Sequence, residues 1–199
     1  KNREVLGVVK ANAYGLGSVE IAKILQSINI NFFGVANVEE AIELQEAGIK
    51  GNFLILGRSF NEELVEATKR NIHVAISSLD QLIFLKENNL NPQIHIKVDT
   101  GMTRLGFDVD KVEEAINFCR ENNLNLVGIF SHLSDTDGLT EETKKFTLEQ
   151  IEKFKQIINN LDLKYIHISN SAGITNFSDE IVGNLVRLGI GMYSFTGNK

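Results

Sequence analysis

The chain has 199 residues, enough to bury one sizeable core and too few for two large domains. An apolar share of 43% and a charged share of 23% are those of an ordinary globular domain, which excludes a disordered or fibrous chain. A net charge of −6 without a Lys/Arg cluster argues against nucleic acid and anionic membrane as partners, and no apolar run approaches the roughly 20 residues that span a bilayer.

Eight short apolar runs rich in Val, Ile and Phe are predicted as strands. In chain order they are VLGVVKA from Val5, FFGVANV from Phe32, FLILG from Phe53, HVAIS from His73, IHIKVD from Ile94, LVGIFSH from Leu126, YIHISN from Tyr165 and LVRLGIGMY from Leu185. Several are apolar on both alternating faces, as in a parallel sheet covered on both sides. Helices fill most of the intervals. Ser18 is predicted to cap the first, with Ile21, Ala22, Leu25 and Ile28 on one face, and Asn37 with Glu40 forms a capping box for the second, which Gly48 ends. Asn61 and Ser78 cap the next two. Val112, Ala115, Ile116 and Cys119 form one helical stripe, and Thr140 opens a longer helix with the stripe Thr147, Ile151, Phe154 and Ile158. Only SAGITNFSDEIVG, between the last two strands, reads as loop. The chain opens without Met and enters a strand within about four residues, so a piece of a longer protein is expected. An N-terminus without a signal-peptide stretch and a lone cysteine make the cytoplasm the default compartment.

Alternating strands and helices of this number predict an α/β fold, a (β/α)8 TIM-type barrel of parallel strands, slightly truncated at both ends. An open doubly wound sheet is the competitor, but GLGSVE from Gly15 keeps only two of the three glycines of a dinucleotide fingerprint. In a barrel the strand C-termini carry the site, which selects Lys10, Asp99, Ser131, His132, Asn170, Ser171 and Arg187. A lysine ending an apolar strand is ordinarily a rim residue whose stem snorkels. In VVKANAYGLGS, however, Lys10 precedes a turn with two glycines and the hydroxyl of Tyr14, a setting for an amine of lowered pKa that attacks a carbonyl.

VVKANAYGLGS, from Val8 to Ser18, resembles the cofactor-lysine motif of the alanine racemase family, fold-type III pyridoxal-phosphate enzymes. HIKVDTGMTRLGF from His95, GIFSHLSDTD from Gly128, HISNSAG from His167 and NLVRLGIGMY from Asn184 resemble the family's later motifs in the same order. Leu16 stands where His is commonest, and Thr103 where Gly is frequent. The resemblance implies a racemase barrel binding pyridoxal 5'-phosphate, spanning residues 1–199, with an N-terminal segment and a C-terminal β domain outside this chain. Lys10 would hold the cofactor as a Schiff base and act as base and acid on one face of the substrate α-carbon. Tyr14, Ser171 and the backbone at Gly189 and Ile190 would hold the phosphate, and Asn170, in the same matched motif as Ser171, would contact the cofactor. Arg187 would face the pyridine nitrogen, and Arg104 the phenolic oxygen and the substrate carboxylate. Lys97 corresponds to a lysine that is carbamylated in many members. His132, counted with the catalytic set, and His167, counted with the cofactor contacts, belong to a hydrogen-bond chain around the arginine and the second base. That base is a tyrosine of the partner subunit's β domain in the family, so a homodimer is implied. No metal is expected, since no Cys/His cluster has ligand spacing and Asp135 with Asp137 reads as a solvated turn.

The implied activity is interconversion of L- and D-alanine, which supplies D-alanine for peptidoglycan, with a small amino acid as the only ligand besides the cofactor. The alternatives are a single-domain pyridoxal-phosphate homeostasis protein without racemase activity, and a basic-amino-acid decarboxylase. MTRLG and VRLGIGMY resemble the racemases more closely than the former, and the Gly-rich phosphate motif of the latter is not visible.

Overall fold

The computed structural model describes residues 3–138 and 140–193. Each of the eight predicted runs forms a strand. β1 (Glu4–Val8) leads through a tight turn, α1 (Lys10–Tyr14), to α2 (Ser18–Ser27), β2 (Phe32–Val35) to α3 (Val38–Glu46), and β3 (Asn52–Ile55) to α4 (Asn61–Lys69). β4 (His73–Ile76) leads to α5 (Leu79–Glu87), and β5 (Ile94–Asp99) to a two-residue β6 (Phe107–Asp108) and then α6 (Val112–Glu121). β7 (Leu126–Phe130) is followed by the long α7 (Glu141–Ile158), then β8 (Tyr165–His167), α8 (Ser171–Asn176) and β9 (Leu185–Leu188).

The ladder runs β8-β7-β5-β4-β3-β2-β1-β9, with every pair in the ring parallel and β6 attached to β5 outside it. This is the expected barrel, joined by ladders everywhere except between β8 and β9. At that seam Asn184 stands in for a strand. Its N–H donates to the Ile166 carbonyl at 3.0 Å, its Oδ1 accepts from the Ile166 N–H at 2.9 Å, and its Nδ2 donates to the Lys164 carbonyl at 3.0 Å. A single antiparallel bridge joins His167 to Gly183 beside it.

Alternation along the strands sorts the core into two layers. Outward residues such as Phe33, Val35, Phe53, Ile55, Ile94 and Ile96 pack against the helices. Inward residues Leu6, Val8, Phe32, Leu54, Tyr165 and Leu185 fill the barrel interior, which is therefore a packed core and not a pore. The polar residues that share this interior, described below, build the site.

Thr140 caps as expected, its Oγ1 accepting from the Thr143 N–H at 3.2 Å, while the capping box at Asn37 forms only in half: Asn37 Oδ1 accepts from the Glu40 N–H at 3.0 Å, but the Glu40 carboxylate reaches the Ala36 and Ala11 N–H groups instead. Others differ for local reasons. Ser18 is the first residue of α2 instead of its cap, and its N–H is taken by Asn12 Oδ1 at 2.8 Å. Ile28, expected on the buried face, is exposed beyond the helix end. Asn61 likewise lies inside α4, where Glu63 reaches back to the Phe60 N–H at 2.7 Å. Ser78 occupies the cap position of α5 without a capping bond. The segment read as loop opens with α8, because Asn170 Oδ1 accepts from the Gly173 N–H at 2.8 Å.

Gly183 holds φ at +96°, and a Cβ there would overlap the Ile166 carbonyl oxygen at the seam. Gly48, with φ at +82°, faces open space. Urea unfolding should show Gly48→Ala costing about 1 kcal/mol and Gly183→Ala about 3 kcal/mol or more. Equal losses would mean that the seam is not tightly closed at that point.

Candidate active site

The strand C-termini surround a cavity of about 670 Å³, within the range of small-molecule sites. Its entrance is shaped by the turn after β1. Ala11, Asn12, Ala13 and Tyr14 all have φ between +51° and +56°, so α1 is a left-handed turn of four non-glycine residues. Each such residue costs roughly 1–2 kcal/mol relative to the right-handed form. The surroundings hold the turn in place. Ala13 N–H donates to the Val9 carbonyl at 2.8 Å, and Gly15 N–H to the Ala11 carbonyl at 3.0 Å. The Glu40 carboxylate accepts from the Ala11 N–H through one oxygen and from the Ala36 N–H through the other, both at 2.8 Å. Lys10 and Tyr14, one turn apart, both line the cavity. Burial holds the Lys10 amine below the usual lysine pKa, with Arg104 and Arg187 pushing the same way and Glu40 opposing.

Arg187 enters the cavity wall from β9 and is almost fully buried. Its Nη1 donates to His167 Nδ1 at 2.6 Å. Its Nη2 donates to the Ser131 carbonyl at 2.7 Å, the Ile168 carbonyl at 3.0 Å and His132 Nδ1 at 3.2 Å. All four acceptors are neutral. Burial lowers its pKa to about 9, which leaves it charged at neutral pH. The chain then continues downward: His167 Nε2 lies 3.3 Å from His95 Nδ1, and His95 Nε2 lies 3.0 Å from His73 Nδ1. Burial first, and neighbouring positive charge second, holds these imidazoles neutral. His73 is lowered to about 4 and His132 to about 2, while His95 and His167 lie well below the usual value.

Lys97, on β5, is buried with its amine 4.8 Å from the centre of the Phe130 ring. Burial pushes its pKa well below that of ordinary lysine, and Arg187 and then Arg104 add to the effect. The sequence pointed to Arg104 as its like-charged neighbour, and the structure adds Arg187 as the stronger one. Arg104 itself sits on the loop after β5. Asp99 Oδ1 shapes that loop by accepting from the Gly101 and Thr103 N–H groups at 2.9 and 3.0 Å. Asp99 is thus a loop-forming residue, and Ser131, bonded to the Val98 carbonyl at 2.9 Å and to Thr100 Oγ1 at 2.8 Å, ties β5 to β7.

Just past Arg187 in the chain, the Gly189 and Gly191 N–H groups converge on Ser171 Oγ at 3.0 and 3.1 Å. A Cβ at Gly189 would stand 2.9 Å from the Tyr14 hydroxyl, so glycine is what lets Tyr14 close in. Backbone N–H groups with two hydroxyls beside them make an anion cradle.

Of the site residues predicted from sequence, Lys10, Tyr14, Lys97, Arg104, His132, Asn170, Ser171, Arg187, Gly189 and Ile190 all line this one cavity. His167 does not. It is fully buried behind Arg187, so it reaches the cavity only through the arginine. Asn170 Oδ1 also accepts from Thr136 Oγ1 at 2.7 Å, and Asn170 Nδ2 donates to the Leu133 carbonyl at 3.2 Å, so its amide is engaged in holding the wall. Asp135 Oδ1 closes its own loop on the Gly138 N–H at 2.8 Å, as a turn residue does. Glu40, Gly191, His95 and His73 were not predicted as site residues. In sequence Glu40 reads only as half of a capping box, and the two histidines as ordinary members of strand runs. The signal that could have found His95 is the alternation of β5, which puts it on the same face as Lys97.

Lys10, Lys97, Arg104 and Arg187 against one carboxylate, Asp137, make the cavity wall strongly basic, a setting suited to a small anionic ligand beside an amine of lowered pKa. Residues 1–196 match the family described as alanine racemase, N-terminal domain, and the chain belongs to that family. The chain is 75% identical over 198 residues to an alanine racemase of Fusobacterium nucleatum subsp. nucleatum, covering 100% of this chain and 56% of that protein. It is 39% identical to an amino-acid racemase of Enterococcus faecalis, covering 98% of this chain and 28% of that protein. Among solved structures, the alanine racemase of Clostridium difficile 630 in complex with cycloserine superposes with a TM-score of 0.90 at 29% identity, over 100% of this chain and 57% of that one. The chain spans about half the length of the curated alanine racemases it matches.

The buried histidines have a consequence for stability. An unfolded histidine takes up a proton near pH 6.5, whereas His73 stays neutral to about pH 4, His132 to about pH 2, and His95 and His167 to well below the ordinary value. Between those limits the unfolded state binds more protons than the folded one, so stability falls as pH falls. The urea midpoint should drop steadily from pH 6.5 to pH 4.5. A midpoint that holds level across that range would contradict the neutral, buried state of these four residues.

Proposed function

We propose that the chain is the cofactor-binding barrel of an alanine racemase, which interconverts L- and D-alanine with pyridoxal 5'-phosphate and supplies D-alanine for peptidoglycan. The observation that carries this reading is the placement of the half-buried Lys10 amine, its pKa held low, on the same cavity wall as the Ser171 cradle and Arg187. The donor set suits the cofactor. The Ser171 hydroxyl, the Tyr14 hydroxyl and the Gly189 and Gly191 N–H groups would hold its phosphate, and Arg187 its ring nitrogen. When bound, the cofactor supplies an aldehyde for a lysine amine and a conjugated ring that draws electrons from the substrate α-carbon.

The chain's own residues then do five things. Lys10 Nζ takes a proton from the α-carbon on one face and returns one there. Arg104 orients the substrate carboxylate with its planar fork of donors. Arg187 has only donors, so it leaves a ring nitrogen unprotonated, which moderates the electron demand of the site and disfavours side reactions such as transamination. Lys97, crowded by Arg187 and Arg104, is suited to carbamylation, which would set an anion between two cations. His132, hydrogen-bonded to Arg187 on the cavity wall, orients that arginine from the substrate side. The opposing base would come from the part of the protein beyond this chain, and in this reading the protein is a cytoplasmic homodimer whose partner supplies it. Alanine is the preferred substrate, on the 75% identity to an alanine racemase.

Borohydride treatment of the protein with bound pyridoxal phosphate should fix a pyridoxyl group on Lys10, located by peptide mapping. Label on Lys23, which is exposed and paired with Glu20 at 2.8 Å, or on the buried Lys97 would remove Lys10 from its assigned role.

A further inference from the structure

The polar chain beneath Arg187 extends further than the cavity requires. A guanidinium carries N–H donors and no acceptor, so at the 2.6 Å contact His167 Nδ1 must accept. A neutral imidazole that accepts at one nitrogen donates from the other, so the His167 proton is on Nε2 and points to His95 Nδ1 at 3.3 Å. The same logic places the His95 proton on Nε2, facing His73 Nδ1 at 3.0 Å. His73 then also carries its proton on Nε2. That atom is buried and has no hydrogen-bond partner among the described residues. His73 lies among the rings of Phe32 and Tyr165, with centroids 5.2 and 5.8 Å away, whose negative faces suit an N–H better than a lone pair.

We propose that His95 and His73 are positioning residues, which with His167 form a one-way chain of Nε2–H imidazoles that fixes the Arg187 guanidinium in the cavity wall. The surroundings are built for it. Tyr165 stacks on His95 at 17° between planes, and Phe130 on His167 at 5°. Gly128 on β7 leaves room that a Cβ would take from the His95 ring. The charges facing the chain are all positive: Arg187 and Lys97 above, Lys164 near His73. A proton added anywhere along the chain would therefore meet repulsion, and it would turn an acceptor into a second donor. Neutrality and direction are thus maintained by the same arrangement.

The chain stands whatever fills the cavity, while its effect on a cofactor rests on the reading of Arg187 given above. The test is nitrogen NMR at neutral pH on the full-length protein with 15N-labelled histidine rings, first without cofactor. Signals are assigned by their loss in single His→Gln variants. His167, His95 and His73 should each show a protonated Nε2 and an unprotonated Nδ1. An Nδ1–H form or an imidazolium at any of the three would overturn the proposal. His95→Phe should release His73 into a mixture of both forms and weaken pyridoxal phosphate binding roughly tenfold, the worth of one hydrogen bond in a network around a charged group. His95→Gln, whose amide can accept and donate along the same line, should restore both. A His95→Phe protein that binds as tightly as the unaltered one would overturn the positioning role, and if that variant does not fold the unaltered protein's tautomers decide. Finding the three Nε2–H forms in a protein that binds no pyridoxal phosphate would uphold the chain and overturn the functional reading alone.

Discussion

Arg187 brings a full positive charge into the barrel, and among the described residues no carboxylate meets it; the acceptors are two backbone carbonyls and two imidazoles. A buried charge without hydrogen bonds is too costly to keep, so these contacts are a condition of the fold as much as of the site. Their placement explains why. Ser131 follows β7, His167 ends β8 and Arg187 itself lies on β9, so one guanidinium spans the place where the ladder is interrupted. Asn184 laces the outer end of that seam and Arg187 the inner end. The residue that presents charge to the cavity is also the one that closes the wall around it.

The neighbouring stretch of wall, at the end of β1, is held by a different kind of constraint. Four successive left-handed residues would not persist in a free peptide, and the bonds that keep them come from elsewhere in the fold: Glu40 from α3 and the Val9 carbonyl from the end of β1. Strain of this kind concentrates where a side chain must be aimed. Here it aims Lys10 and Tyr14 inward, within reach of a cradle whose other members lie near the chain's far end. The pKa of the Lys10 amine follows from the same placement, since burial and the two arginines act on it together.

Most of the barrel could be read from the sequence because its strands are short apolar runs with turn residues between them. Strand ends picked out Lys10, His132, Asn170, Ser171 and Arg187 of the cavity wall, together with Asp99 and Ser131 that lie off it, whereas Tyr14, Lys97, Arg104, Gly189 and Ile190 came from the motif resemblance. What escaped the sequence was what depends on handedness and on depth. Nothing in KANAY states that the turn is left-handed, since the residue that stabilises it, Glu40, is distant in sequence and looks like a helix cap. Asn170 was read as a ligand contact, and its capping of α8 turned an expected loop into a short helix. The alternation of β5 puts His95 on the face of Lys97, but nothing in sequence sets His73 apart from other histidines in strands, and only the closure of the barrel brings both in line with His167.

A charged Arg187, with no atom that can accept a proton, would set the electronic state of a ring bound against it. The most direct measurement is the nitrogen NMR signal of pyridoxal phosphate labelled with 15N at the ring nitrogen and bound to the full-length protein. An unprotonated, hydrogen-bonded pyridine nitrogen is expected throughout the neutral range. A protonated pyridinium signal there would contradict it.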